Sequence, residues 1–283
     1  MLGVAVDAGP DDVLTFWFGT ADAACKNTVE YLQDGWQRWF FGKDLMFDIV
    51  QRNSTPLIEK VADPSFSLAV WLTKRGVLAR ILLLDQFTRC AYRGTAQALA
   101  HDELACKLAR QLATGDGGYQ ALLPVERFFV CLALSHAESL ADSKLHVELA
   151  ATLADGLSAG SPEHAAVNGY FGSLNGFPNE HFETIRRFGR FPHRNVLLGR
   201  PSTAEEIAWL SSPSCPGWAR SQQRAILSYW VGRGLADPIR FLLEFCLLPY
   251  DEQAVTDAAG FEELKKSGKL AFGQVPLSPQ AGT

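Results

Sequence analysis

Three groups of polar residues stand in apolar surroundings, and each has the residue types to do chemistry. The first is Asp85-Gln86-x-x-Arg89, directly after Ile81-Leu82-Leu83-Leu84. At helical spacing Asp85 shares a face with Leu78, Ile81 and Leu82, and a carboxylate on a core face must find a partner or change its protonation. Arg89, one turn on, offers that partner in the acid-first i,i+4 order. The pair is either an internal tie that fixes helix packing or a charged pair that faces a ligand. The second group, His136-x-Glu138, ends an apolar stretch. Residues two apart lie roughly 200° apart around a regular helix. His136 then falls with Phe129 and Leu132, and Glu138 with Cys131 and Leu134. The two enter one pocket only if the helix stops there, which Ser135 and Ser139 would permit. Otherwise His136 is a satisfied core histidine. Acting together, the two would do general acid–base work, so the catalytic candidates are His136, Glu138 and Asp85.

The third group is a run of arginines. Between Thr184 and Ala204 lie Arg186, Arg187, Arg190, Arg194 and Arg200 with no acidic residue among them, while His181 precedes the run and His193 falls inside it. The segment carries five positive charges in a chain of net charge −5, which leaves the remainder at −10. Gly189, Pro192, Gly199 and Pro201 break any helix, so Arg190 and Arg194 belong on a structured loop. Guanidinium forks match carboxylates and phosphates in bidentate geometry. Arg89, His181, Arg186, Arg190, His193 and Arg194 are therefore the ligand-binding candidates. The alternative is that the arginines bind the acidic remainder or cap helix carbonyls. Gly-rich phosphate loops, H-E-x-x-H, paired E-x-x-H and G-x-S-x-G are all missing. No metal is assigned, and the cofactor is left unknown.

These groups must be positioned by helices. Pro10 with Asp11 and Asp12 opens one that Gly19 closes, and Asp44 caps a second. An apolar stretch from Gly76 to Tyr92 carries the first polar group. Thr95 starts a helix to Ala113, and Pro124 another through Leu132. Asp142 caps the next, ending near Gly156. Ser161-Pro162-Glu163 and Pro178 open two more, the latter running to Phe188. Ser202 with Glu205 forms a capping box, and Asp237-Pro238 begins a helix through Leu248. No strand shows period-two alternation. Connections are short, which favours antiparallel neighbours, and no 34-residue consensus repeats.

Hydrophobic residues make up 47% of the 283, enough for a large core. The acidic balance argues against a nucleic-acid partner. No window of about 18 apolar residues is present, so no membrane span is expected, and Met1 to Pro10 is not a secretory signal. The six cysteines are scattered without a C-x-x-C pair, which reads as buried free thiols in a reducing, cytoplasmic setting. Phe16-Trp17-Phe18 and Trp36-x-x-Trp39-Phe40-Phe41 read as core.

The three groups, in this order, carry a family resemblance. The landmarks are FWFG at Phe16 to Gly19, W-x-x-W-F and G-K-D at Trp36 to Asp44, LLLDQFTRCAYRG at Leu82 to Gly94, H-x-E at His136 to Glu138, and H-x-x-x-I-R-R-F-G-R-F-P-H-R-N-x-x-L-G-R at His181 to Arg200. The sequence resembles the bacterial family known as domain of unknown function 924. The resemblance implies an all-α fold of the tetratricopeptide-like type, a superhelical stack of antiparallel helix pairs, and it implies no activity. The family usually reads D-Q-F-P-R-N, where this chain has Thr88 and Cys90. It usually reads H-S-E-D followed by Gln, where this chain has Ala137, Ser139 and Ser143. The chain thus reads as one helical domain over 1–283, with a family-like core over 13–212, an extra helical segment over 213–270 and a loose tail over 277–283.

Two functions follow as expectations. One is a small-molecule pocket in which arginines hold an anionic substrate and a histidine moves a proton. The other is a helical scaffold for protein partners whose arginine loop takes an acidic peptide. The oligomeric state is not readable from the sequence.

Overall fold

Pro10 at the first helical position and the Asp12 carboxylate, which accepts the Gly9 N–H at 2.8 Å, open the helix Pro10–Phe18. Gly19 stops it with φ 71°, a backbone conformation that costs glycine little. Asp44 caps Leu45–Arg52 by accepting the Phe47 N–H. Such local signals set most helix starts in this chain. The structure is a computed structural model that describes residues 3–41, 44–115, 118–174, 176–221, 225–245 and 250–266. It is predominantly α-helical, as the sequence leads one to expect.

The chain divides into two compact units, Met1–Phe191 and Pro192–Thr283, where the sequence reads as one domain. The core of the first unit forms around one long helical path: Lys74–Ile81, then Leu82–Phe87 in π-helical geometry, then Thr88–Ala91. Leu78, Ile81, Leu82, Leu83, Leu84 and Phe87 on this path are fully buried. Gly76 admits the turn Ala69–Leu72 so closely that a Cβ would collide with the backbone of Val70 and Trp71. Helices Pro10–Phe18, Asp102–Thr114 and Pro124–Ser135 pack against this path. Leu140–Ala150 packs on Pro124–Ser135 and on Gly176–Phe188. Trp17, Trp39 and Phe129 meet edge to face at 5.0–5.3 Å between centroids where Phe129 is one partner, the arrangement that ring quadrupoles favour. Of the aromatic residues expected in the core, Phe40 and Phe41 are instead exposed.

Several boundaries differ from expectation. Thr95 leads into a 3-10 turn, Ala96–Leu99, and the helix restarts at Asp102. Ser139, not Asp142, caps Leu140–Ala150. The capping box sits one residue later than expected, with Thr203 and Glu206. Among the described residues the free thiols of Cys90, Cys106, Cys131 and Cys215 are buried, but Cys25 is exposed.

The second unit holds a pair of strands that no period-two alternation marks in the sequence. Ala225–Trp230 pairs in parallel with Tyr250–Val255, in register from Ala225↔Tyr250 to Trp230↔Val255. The crossover holds the helix Asp237–Phe245, as a parallel pair requires. Arg240 ties that helix to the second strand, donating to both oxygens of Glu252 at 2.7 and 3.0 Å and to Asp237 at 2.8 Å. Residues 246–249 and the tail 277–283 lie outside the described residues. No helix among the described residues is long and apolar enough to cross a membrane.

Candidate functional site

Asp85 lies within the π-helical segment, completely buried. A π turn widens the helix and frees backbone carbonyls from their usual partners. Here side chains take them up: the Thr88 hydroxyl donates to the carbonyls of Leu84 (2.9 Å) and Asp85 (3.2 Å), and Arg89 Nη1 also donates to the Asp85 carbonyl. The Asp85 carboxylate is fully engaged. Its Oδ1 stands 2.7 Å from His136 Nδ1 and 3.0 Å from Arg89 Nη1, and its Oδ2 accepts from Gln86 Nε2 at 2.6 Å. Arg89 in turn forks onto Asp102, donating to both carboxylate oxygens at 2.9 Å.

Electrostatics fix the protonation states. Burial alone would push Asp85 up, but the Arg89 charge and the contact with His136 outweigh it and hold the carboxyl well below its usual range. Burial and then Arg89 depress the His136 pKa, more than Asp85 raises it. A neutral ring therefore faces an ionised carboxylate that can only accept. Nδ1 must carry the proton, which leaves the lone pair on Nε2. Burial also opposes the charge on Arg89, but Asp102 and Asp85 raise its pKa overall.

The helix Pro124–Ser135 ends one residue before His136, so the condition set by the sequence for His136 and Glu138 to escape opposite faces is met. Glu138 Oε1 accepts the Phe191 N–H at 2.8 Å and pins the start of the arginine loop. His181, buried on Gly176–Phe188, donates from Nδ1 to the Phe177 carbonyl at 2.8 Å, and its ring meets Phe191 at 5.7 Å. Phe191 thus links Glu138 and His181.

The arginines disperse. Arg186 is exposed and bound to Glu183, at 2.6 and 2.8 Å. Arg190 is half-buried beside Phe191. His193 and Arg194 are buried in the second unit, where the His193 ring stands edge-on to Trp218 at 5.3 Å. Gln86 stands in the first polar group read from the sequence, but Asp102, joined to the Asp85 network through Arg89, was not predicted. Nor was Asp142, which takes the Arg110 fork at 2.6 and 2.7 Å.

Cys131 and Cys106 are poor nucleophile candidates, because burial first of all pushes each thiol up to about 12. Among the described residues no three His, Cys, Asp or Glu side chains gather as a metal cage.

Fold and site together define a predominantly helical protein with a buried carboxylate–histidine–arginine cluster. The chain belongs to the family described as bacterial protein of unknown function (DUF924), whose model matches residues 13–214. It is similar to a solved structure of a protein of unknown function from Agrobacterium tumefaciens, at 29% identity over 71% of this chain and 96% of that one, with a TM-score of 0.43. No curated protein matches it.

Proposed function

We propose that the first unit carries an acid–base site for a small anionic molecule, in which His136 is the proton-transfer residue and Asp85 its positioning partner. The observation that carries this reading is the 2.7 Å contact between Asp85 Oδ1 and His136 Nδ1, made inside a charge network rather than against a backbone carbonyl. An ionised carboxylate on Nδ1 orients the ring, fixes its tautomer and stabilises the imidazolium that forms when Nε2 takes a proton. Arg89 is a positioning residue here: its fork is committed to Asp102. Arg190 is the arginine of the first unit assigned to the anionic group. Arg186 is left out, because an exposed pair with Glu183 gives it a surface role. The scaffold reading, with tetratricopeptide-like stacking and an acidic peptide, expects polar groups that are scattered and separately satisfied. The gathering of Asp85, Arg89, Asp102 and His136 favours the site.

Native mass spectrometry of the purified chain, set against its denatured mass, tests the proposal. A discrete anionic metabolite is expected in the native spectrum, weakened in Arg190→Ala. Supplied in excess, it should be turned over by the wild type and about 10²–10⁴-fold more slowly by His136→Gln. Turnover unchanged in His136→Gln removes the proton-transfer role. A folded chain that carries and converts nothing returns the preference to the scaffold.

A further inference from the structure

The stretch that precedes helix Pro10–Phe18 is tied to the first unit at several points. Gly3 lies so close to Asn53 that a Cβ there would collide with the Asn53 carbonyl. The Val4 N–H donates to Ser54 Oγ at 3.0 Å, and Lys60 Nζ donates to the Val6 carbonyl at 2.8 Å. The Ala8 N–H closes a turn on the Ala5 carbonyl at 3.0 Å. Asp12 then takes the Gly9 N–H at 2.8 Å where the helix begins.

A groove runs along this fixed stretch. Phe16 of Pro10–Phe18 and Val50 of Leu45–Arg52 line it, together with Val4, Ala5 and Ala8. The Phe16 ring is held by stacking on Phe47, with centroids 4.7 Å apart. The groove is open to solvent, and the centre of a water-sized sphere can range over about 510 Å³ there. Small-molecule sites occupy roughly 300–1,000 Å³, so a six-membered ring has room.

The charges narrow the occupant. Asp7 and Asp12 also line the groove, and among the described residues no basic side chain does. Asp7 is exposed, and among the described residues its carboxylate takes no hydrogen bond or ion pair. Asp12 commits Oδ2 to Gly9 and keeps Oδ1 for a second donor. Residues 1–50 hold eight acidic side chains against three basic ones, so the surrounding field also favours positive charge. An anion would meet repulsion there, and a neutral body would leave both carboxylates unused.

We infer that this groove binds a small organic cation, with an ammonium group on Asp7 and Asp12 and an apolar body against Phe16 and Val50. It shares no residue with the Asp85 cluster and stands whether or not His136 transfers protons.

Titration of the full chain with benzylamine, benzyl alcohol and benzoate, followed by calorimetry and amide shifts in NMR, tests the assignment. Saturable one-to-one binding of benzylamine is expected, at least about fivefold tighter than benzyl alcohol, the margin that two exposed ion pairs supply. Benzoate should bind more weakly than either. The shifts should centre on Val4 to Phe16 and on Val50. Salt at about 1 M, where the screening length is roughly 3 Å, should erase most of the preference for the amine. Asp7→Asn, an exposed change that breaks no contact, is expected to cut the preference by about twofold or more. Ala5→Trp, which fills the groove from an exposed position, should abolish benzylamine binding and leave the urea midpoint at the wild-type value. Absence of saturable benzylamine binding to the wild type overturns the proposal. So does equal affinity for benzylamine and benzyl alcohol, a preference that Asp7→Asn leaves untouched, or undiminished binding to a folded Ala5→Trp.

Discussion

Arg89 is the residue on which the buried cluster turns, because its guanidinium bridges two carboxylates that would otherwise repel each other. Both of its Nη groups reach Asp102 at 2.9 Å, while Nη1 also lies 3.0 Å from Asp85. Breaking a fully buried pair typically costs about 3–5 kcal/mol, but the Arg89 side chain is 21% exposed, and solvent screens part of that loss. Asp102→Asn is expected to lower unfolding stability by about 1–3 kcal/mol on that discounted scale. It should also lower the His136 pKa further, since Asp102 is among the groups that raise it. Urea unfolding and an NMR titration of the imidazole measure both, and an unmoved His136 titration would show that the two are not electrically linked. Asp85 and Arg89 were readable from their spacing. Asp102 was not, because it sits 13 residues beyond Arg89, where a 3-10 turn resets the helical phase. Glu183, which binds the exposed Arg186, lies one residue outside the acid-free run.

Six residues in π geometry decide where the Asp85 carboxylate points. Hydrophobic periodicity reads the apolar stretch from Gly76 to Tyr92 as a single run, and a phase change inside it leaves no mark on that pattern. The mark is instead in the polar residues that follow, since Thr88 and Arg89 satisfy the carbonyls that the widened turn releases. Thr88 is fully buried, with its hydroxyl on two carbonyls. Thr88→Val keeps the shape and removes the hydroxyl, and is expected to cost about 1–3 kcal/mol, the penalty for buried acceptors left without a partner. Hydrogen exchange should show it as faster opening of the amides around Leu84 to Arg89. Protection unchanged from wild type would mean that the π turn does not need the hydroxyl. Helix starts were legible wherever a residue acts locally, as Pro10, Gly19 and Asp44 do. The strand pair was not: Ala225–Trp230 reads as an apolar run and Tyr250–Val255 as a mostly polar one, and what makes them strands is their pairing across a crossover, a non-local contact that no window contains.

At the scale of the whole molecule, the buried polar groups of the first unit give its stability a direction in pH. His146 titrates near pH 6.5 when unfolded and at about 3 when folded. His136 is shifted the same way, and Asp85 is held below its ordinary 3.8. In each case the unfolded chain binds protons that the folded chain refuses. The stabilisation is therefore complete above about pH 6.5 for the histidines. It is lost as the pH falls from there, towards 3 for His146, at up to ~1.4 kcal/mol per pH unit for each group. Below about 3.8, Asp85 adds its own loss. A fall in the urea midpoint is expected between pH 7 and pH 4, larger than the change between pH 7 and pH 8. His146→Leu should remove close to one proton from the uptake that accompanies unfolding, because leucine has nothing to titrate. Asp85→Asn acts lower, flattening the decline only below pH 4 and otherwise making the chain less stable throughout. Coincident midpoints at pH 7 and pH 4 in the wild type would mean that the imidazoles are as free to charge in the folded chain as outside it. The neutral His136 base would then not stand.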